Sequence, residues 1–204
     1  MSYFKKFFGH LKTVLTHKHW VFYYASNLGY TWRGLTHDLS KFSPVEFFES
    51  VKYWTGKRSP ILVAKETVGI AYSWLHHKGR NKHHYEYWVD RVNGELTFHK
   101  IPFNYTIEMV CDWLAACRTY SNNGADVFSR EYEWWKKHVN KVSVNEDTKY
   151  LVSKLLWNLK EQQEANGLTE KQALRAVAKM LPDWKRIYND PKNKHSDHYE
   201  DTHL

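Results

Sequence analysis

Six histidines and two aspartates recur in order along this 204-residue chain: His17, the doublet His37–Asp38, the pairs His76–His77 and His83–His84, then Asp112. Each offers an imidazole nitrogen or a carboxylate oxygen, and none is a thiolate. Such donors suit Mn, Fe, Co, Ni or Zn, with Mg as a further option. A structural zinc site usually contains cysteine and closes at four ligands. Donors gathered from separate segments suit one or two open-sided divalent ions instead. Ions of that kind bind phosphoryl oxygens and make water more acidic. Each residue also has a plain structural use. A lone histidine on an apolar face is ordinarily a satisfied core residue, and a His-Asp doublet can pair at a helix end.

The elements that must position these groups read as helices. Phe4, Phe7, Phe8, Leu11, Val14 and Leu15 recur at helical spacing, opposite Lys5, Lys6 and Lys12. That pattern predicts an N-terminal core helix, with a membrane-surface helix as the other use of such a face. It continues to a Gly29 cap, with His17 on the face of Val21, Tyr24 and Leu28. A second helix is expected to carry His37 and Asp38, with Lys41 one turn on. Ser43, Pro44 and Glu46 form a capping-box signature for a third helix, ending near Trp54. From Ser59 and Pro60 one continuous helix is expected through His77, with Ile61, Ala64, Val68, Ala71, Tyr72 and Leu75 as its stripe and His76 at the stripe's border. "HHYEYWVDRV" reads as a short helix and Asn93-Gly94 as a loop or small hairpin.

Pro102 opens a strong helix to Tyr120 that contains Asp112. Burying that carboxylate unpaired would cost several kcal/mol, so it needs a cation. "SNNGAD" is a turn, two more helices follow, and Thr169 with Gln172 caps another that ends near Leu181. The class is all-α. The expected division is a metal-binding helical domain over 1–142, a C-terminal helical extension over 143–188 packed on it, and a disordered tail over 189–204.

Composition narrows the partners without naming one. Ten Trp, fourteen Tyr and ten Phe predict a core built largely of rings. A formal charge of +8 favours acidic partners such as nucleotides, nucleic acid or anionic lipid. Cys111 and Cys117 lie about 9 Å apart on one helix, beyond disulfide reach. With no secretory pattern, a reducing cytoplasm fits. No apolar run approaches the ~20 residues of a transmembrane helix. A homodimer is compatible with all of this. "EYEWWKKH" interleaves rings with cations, which serves either nucleic-acid stacking or an amphipathic helix with its rings inward. His10, His99, His138, His195, His198 and His203 read as surface residues.

The order His…His-Asp…His…His…Asp resembles the HD-domain metal phosphohydrolases, with "LTHDLSK" similar to their signature and Ser40 where many members have glycine. Over about residues 10–140, "THDLSKFSP" and "LHHKGRNKHH" resemble an uncharacterised family of bacterial and phage proteins. The HD resemblance implies an HD-like bundle in which His17, His37, Asp38 and Asp112 hold a first metal. His76 and His83 would complete a second, with His77 and His84 behind them or exchanged for them. Asp38 and Lys41 would then serve catalysis. Lys41, Lys78 and Arg80 would contact substrate phosphate, although the loop cations also read as solvated. Glu108 would orient a ligand or a water, unless it is an ordinary surface acid. The implied activity is hydrolysis of a small phosphorylated substrate, a nucleotide or related phosphoester such as a signalling nucleotide, in a bacterial or phage-infected cell. The rivals are a protein that sequesters such a ligand without turnover and a basic nucleic-acid-binding helical protein.

Overall fold

The computed structural model describes residues 1–120 and 126–193. Helix α1, Tyr3–Asn27, starts where the Ser2 hydroxyl accepts from the Lys5 amide. Its buried face carries His10, Val14, His17, Val21 and Tyr24, spaced three or four residues apart. The helix lies along α6, Phe103–Tyr120. The Phe4–Leu15 stripe read as core is split: Val14 is buried and Phe7 and Leu11 are half-buried, while the other three members face outward. Phe4, Phe8 and Leu15 are 75%, 63% and 51% exposed, because the face rotated toward α6 is the one bearing the histidines.

Helix α2, Thr31–Thr36, folds back onto α1. Gly34 permits the close crossing: a Cβ there would stand 2.9 Å from the Phe22 Cα. The helix stops before the doublet it was expected to carry. His37 is extended, and Asp38 lies in the left-handed region at φ 52. A 3₁₀ turn, Leu39–Phe42, follows at once. Lys18 of α1 clamps this corner, its ammonium donating to the carbonyls of Leu35 (2.6 Å) and His37 (2.8 Å).

Helix α3, Pro44–Tyr53, begins with Ser43 accepting from the Glu46 amide. The long helix expected from Ser59 to His77 is two helices, α4 (Pro60–Val68) and α5 (Tyr72–Lys78). Gly69, at φ 78, ends the first, as glycine in this conformation commonly does. The break resets the rotational phase. Val68, Tyr72 and Leu75, read as one buried stripe, are 53%, 62% and 46% exposed, while Ser73 and His77 turn inward. Glu49 of α3 accepts from the amides of Tyr72 and Ser73, which fixes the start of α5 against α3.

After His84 comes a 3₁₀ turn, Tyr85–Trp88, where a short helix running to Val92 was expected. A hairpin follows, β1 (Val89–Val92) paired antiparallel with β2 (Glu95–Phe98), with Val92 opposite Glu95. Its two-residue turn places Asn93 and Gly94 at positive φ, the backbone this loop length requires. Helices α7 (Val127–His138), α8 (Glu146–Glu164), α9 (Glu170–Ala178) and α10 (Leu181–Asn189) complete the chain. The Thr169–Gln172 capping box forms, but its helix ends at Ala178 and Leu181 opens a new one.

The class is all-α, with one small hairpin. One core unites Val21 and Tyr24 of α1, Ile107 and Leu114 of α6, Phe128 and Trp135 of α7, Leu155 and Leu159 of α8, Leu174 of α9 and Trp184 of α10. In "EYEWWKKH" Tyr132 and Trp135 point inward. No helix among the described residues is long and apolar enough to cross a membrane. The predicted turn over residues 121–125 and the predicted tail from 194 onward, with His195, His198 and His203, lie outside the described residues.

Candidate metal centre

Five elements deliver polar groups to one place. From α1 comes His17, from the left-handed corner His37 and Asp38, and from α5 His77. The loop after α5 supplies His83 and His84, and α6 supplies Asp112. All are at least nine-tenths buried. Asp112 Oδ1 lies 2.9 Å from His17 Nε2 and 3.5 Å from His37 Nε2. Asp38 Oδ2 lies 3.1 Å from His37 Nε2, while its Oδ1 lies 3.3 Å from both His77 Nε2 and His83 Nε2. Besides a three-donor group, His37–His83–Glu108, there are two four-donor groups, His17–His37–Asp38–Asp112 and Asp38–His77–His83–His84, and each of the three could hold a metal ion. Asp38 belongs to both four-donor groups, one oxygen turned to each.

These short contacts are not hydrogen bonds. Nε2 of His17, His37, His83 and His84 and both oxygens of Asp38 are buried without a hydrogen bond of acceptable angle. Ligand atoms ~2.1 Å from a common ion stand about 3.0–3.4 Å from one another in octahedral or tetrahedral arrangements. The observed separations match that spacing. The site could therefore hold a metal ion on its own geometry.

The far side of the imidazoles is satisfied by protein. His37 Nδ1 hydrogen-bonds Glu108 Oε1 at 3.0 Å, and His83 Nδ1 lies 3.3 Å from the same oxygen. His77 Nδ1 meets Glu46 Oε2 at 2.7 Å. With Nδ1–H donated to a carboxylate, each Nε2 lone pair is left facing inward, the arrangement that orients histidine ligands. Glu108 is held in turn by Arg33 Nη1 at 2.8 Å, and Arg33 lies over the Tyr105 ring. Asn81 donates to the Ser40 hydroxyl at 2.8 Å and to the His77 carbonyl at 2.9 Å, bracing the second histidine pair.

The field is strong in both directions. Burial opposes charge on His37, yet Asp38, Asp112 and Glu108 raise its pKa well above the ordinary histidine value. Burial also disfavours ionised Asp38 and Asp112. Even so, His37, Lys41 and other histidines hold Asp38 well below the usual carboxylate range, and His17 and His37 do the same for Asp112. Against burial, His37 and His83 bring Glu108 down to about 2. Burial first, then Lys41, lowers His17. Burial and neighbouring His83 keep His84 neutral, well below its ordinary pKa.

Among the residues singled out from sequence, His17, His37, Asp38, His83 and Asp112 converge. His76 does not. It turns to the other oxygen of Glu46 (2.7 Å), and His77 faces Asp38, because Gly69 reset the phase of α5. His84 joins the second group and Glu108 lies behind the ligands. Lys41 Nζ lies 2.7 Å from Asp38 Oδ2, and although burial works against its charge, Asp38 and Asp112 raise its pKa. Arg80 lines a separate hollow with Arg33 and Lys82, on the Nδ1 side of His83, and Lys78 lines neither hollow. Glu46 was read as a cap, yet its side chain serves His76 and His77. His10 was read as surface, yet it is buried. Its place one α-turn before Val14, on the face of His17, carried that signal. His99 is exposed as read, and half-buried His138 bonds the Trp134 carbonyl.

Four of the donors, His17, His77, His84 and Asp112, line a cavity of about 450 Å³. Lys41 lines it as well. Trp74, Tyr85, Trp113, Tyr120 and Trp134 line the walls, and His10 and Glu86 also face it. Its volume suits a small organic ligand.

A family model described as a family of unknown function (DUF5662) matches residues 6–158. No curated protein and no solved structure matches the chain.

Proposed function

The chain belongs to that family of unknown function, and we propose that it is a metal-dependent phosphohydrolase of the HD type, acting on a nucleotide or related phosphoester. The observation that carries the reading is the Asp38 carboxylate shared by two buried donor groups that help line an aromatic-walled cavity. His17, His37, Asp38 and Asp112 would hold one divalent ion, and Asp38, His77, His83 and His84 another. Bound there, such ions supply Lewis acidity toward a phosphoryl oxygen and lower the pKa of water. Lys41, kept cationic beside Asp38, offers its remaining N–H groups to a phosphoryl oxygen. Glu46 and Glu108 hold the imidazoles to one tautomer and orientation. The rings around the cavity exclude water from the organic part of the substrate and provide surfaces for stacking.

The test is elemental analysis of untagged protein ending at Asn193, followed by phosphate release from a nucleotide panel. One or two equivalents of divalent metal are expected, with turnover that Asp38→Asn abolishes. Metal and nucleotide binding without any turnover would favour the sequestering role. Absence of metal after reconstitution would end the reading.

A further inference from the structure

The cavity extends well past the metal ligands, and its chemistry changes along the way. His10 precedes His17 by two turns of α1, about 10 Å along the axis. Its side chain lines the cavity, it is 6% exposed, and its Nδ1 is buried with no hydrogen-bond partner. The ring packs on Phe47, with centroids 5.1 Å apart, which fixes its direction. Glu86 lines the same space, and its Oε2 is likewise buried without a partner. A polar atom kept dry and unpaired costs free energy that a ligand group can recover. Among the described residues, Lys41 is the only lysine or arginine lining this cavity; Arg80 and Lys82 line the other hollow.

We propose that the substrate is a nucleoside monophosphate, its single phosphate beside Lys41 and the metal donors and its amino-bearing base read by His10 and Glu86, which face the same cavity. The proposal rests on the phosphohydrolase reading for the phosphate end. The rest comes from the cavity itself. One lysine beside two ion positions balances one phosphate. The further phosphates of a di- or triphosphate would enter a space whose remaining charged lining is Glu46 and Glu86. A buried charge with no counter-charge is strongly disfavoured. An unpaired carboxylate oxygen needs a donor, and an exocyclic amino group or ring N–H supplies one. An unpaired imidazole Nδ1 takes either a donor or an acceptor according to its tautomer. Trp74, Trp113 and Tyr85 in the same lining provide faces for the ring.

The experiment uses the full-length, metal-loaded protein and reads quenching of cavity tryptophans by a nucleoside, its 5′-monophosphate, its 5′-triphosphate and orthophosphate. The monophosphate is expected to bind at least about tenfold more tightly than the triphosphate. His10→Phe keeps the packing on Phe47 and removes the hydrogen bond, and should weaken monophosphate and nucleoside binding by about three- to tenfold. Orthophosphate affinity and metal content should not change. Glu86→Leu, at a partly exposed position, removes the acceptor and gives an independent second readout of the same loss. Triphosphate binding as tight as monophosphate would overturn the proposal, as would unchanged affinity in both variants. The nucleoside arm needs no metal. A protein that holds no ion but binds nucleoside through His10 would overturn the hydrolase reading and the phosphate end of this proposal, and leave the recognition of the base by His10 and Glu86 standing. Phosphate release with no preference for the nucleoside part would do the reverse.

Discussion

Asp38 carries the most information of any residue here. It occupies the left-handed region without being glycine, and a non-glycine residue held there costs on the order of 1 kcal/mol or more. The conformation turns its two oxygens toward different histidines, which a helical doublet would not do. Asparagine tolerates the same backbone, so Asp38→Asn should retain the wild-type helical circular dichroism. It should also lose at least about tenfold in metal affinity, on the scale of disturbed ligand shells, measured by competition with a chelating dye. Wild-type affinity in this variant would remove Asp38 from both ligand groups. His10 yields a second test. Burial, then Lys41, lowers its pKa to about 4 from an ordinary 6.5. The folded state therefore resists a proton that the unfolded chain accepts. Its contribution to stability is full above pH 6.5 and is lost progressively as pH falls toward 4, to a limit of about 3 kcal/mol. In chelator-treated protein, His10→Phe should flatten the fall in unfolding free energy across that window. An unchanged slope would mean that the ring is not buried in neutral form.

Among the elements, what sequence made legible were the patterns set by local chemistry. Ser43-Pro44, Pro102, Thr169–Gln172 and Asn93-Gly94 specify caps and a turn through their own backbones, and the structure has each in use. The misread elements depended on tertiary choice. Two faces of α1 are apolar enough to bury, and only the packing of α6 decides that the histidine face goes in. Likewise, Gly69 inside an apolar run can sit in a helix or end one, and here it ends one. That single break is why His77 rather than His76 reaches Asp38. A Cβ at Gly69 meets no atom within 4 Å, so Gly69→Ala carries only the conformational cost of its positive φ, ~1–2 kcal/mol. At 2–4 °C per kcal/mol for a chain of this size, the melting temperature should fall by roughly 2–8 °C. Because α5 begins just beyond, the variant should also bind metal more weakly at the His77 group than at the His17 group, seen as two separated steps in titration calorimetry. A melting temperature equal to wild type would mean that the left-handed break is not required.

At the scale of the whole molecule, the candidate centre joins α1, the doublet corner, α5, the loop after it and α6. Beside the packing of α2 and α3 on α1 and the Lys18 clamp, polar contacts of His37 and His77 with Asp38, Asp112, Glu46 and Glu108 tie the doublet corner and α5 together and to α6. Without an ion, Asp38 Oδ1 and the four Nε2 atoms have no hydrogen-bond partner, while Oδ2 keeps the ion pair with Lys41, and each unpaired group carries a desolvation penalty. An ion bound to the native arrangement satisfies them together and stabilises only the folded state. At free metal 1,000-fold above the dissociation constant, that linkage contributes about 4 kcal/mol per site. Chelation should then lower the melting temperature by roughly 8–16 °C for one site. It should leave most helical signal in place below the transition, because of the candidate donors only Glu108 and Asp112 lie on α6–α10. Re-addition of metal should restore the higher value in the wild type and fail to do so in His37→Ala. A melting temperature indifferent to chelator and to added metal would show that the converged imidazoles and carboxylates satisfy one another, and that the fold needs no ion to hold its corner closed.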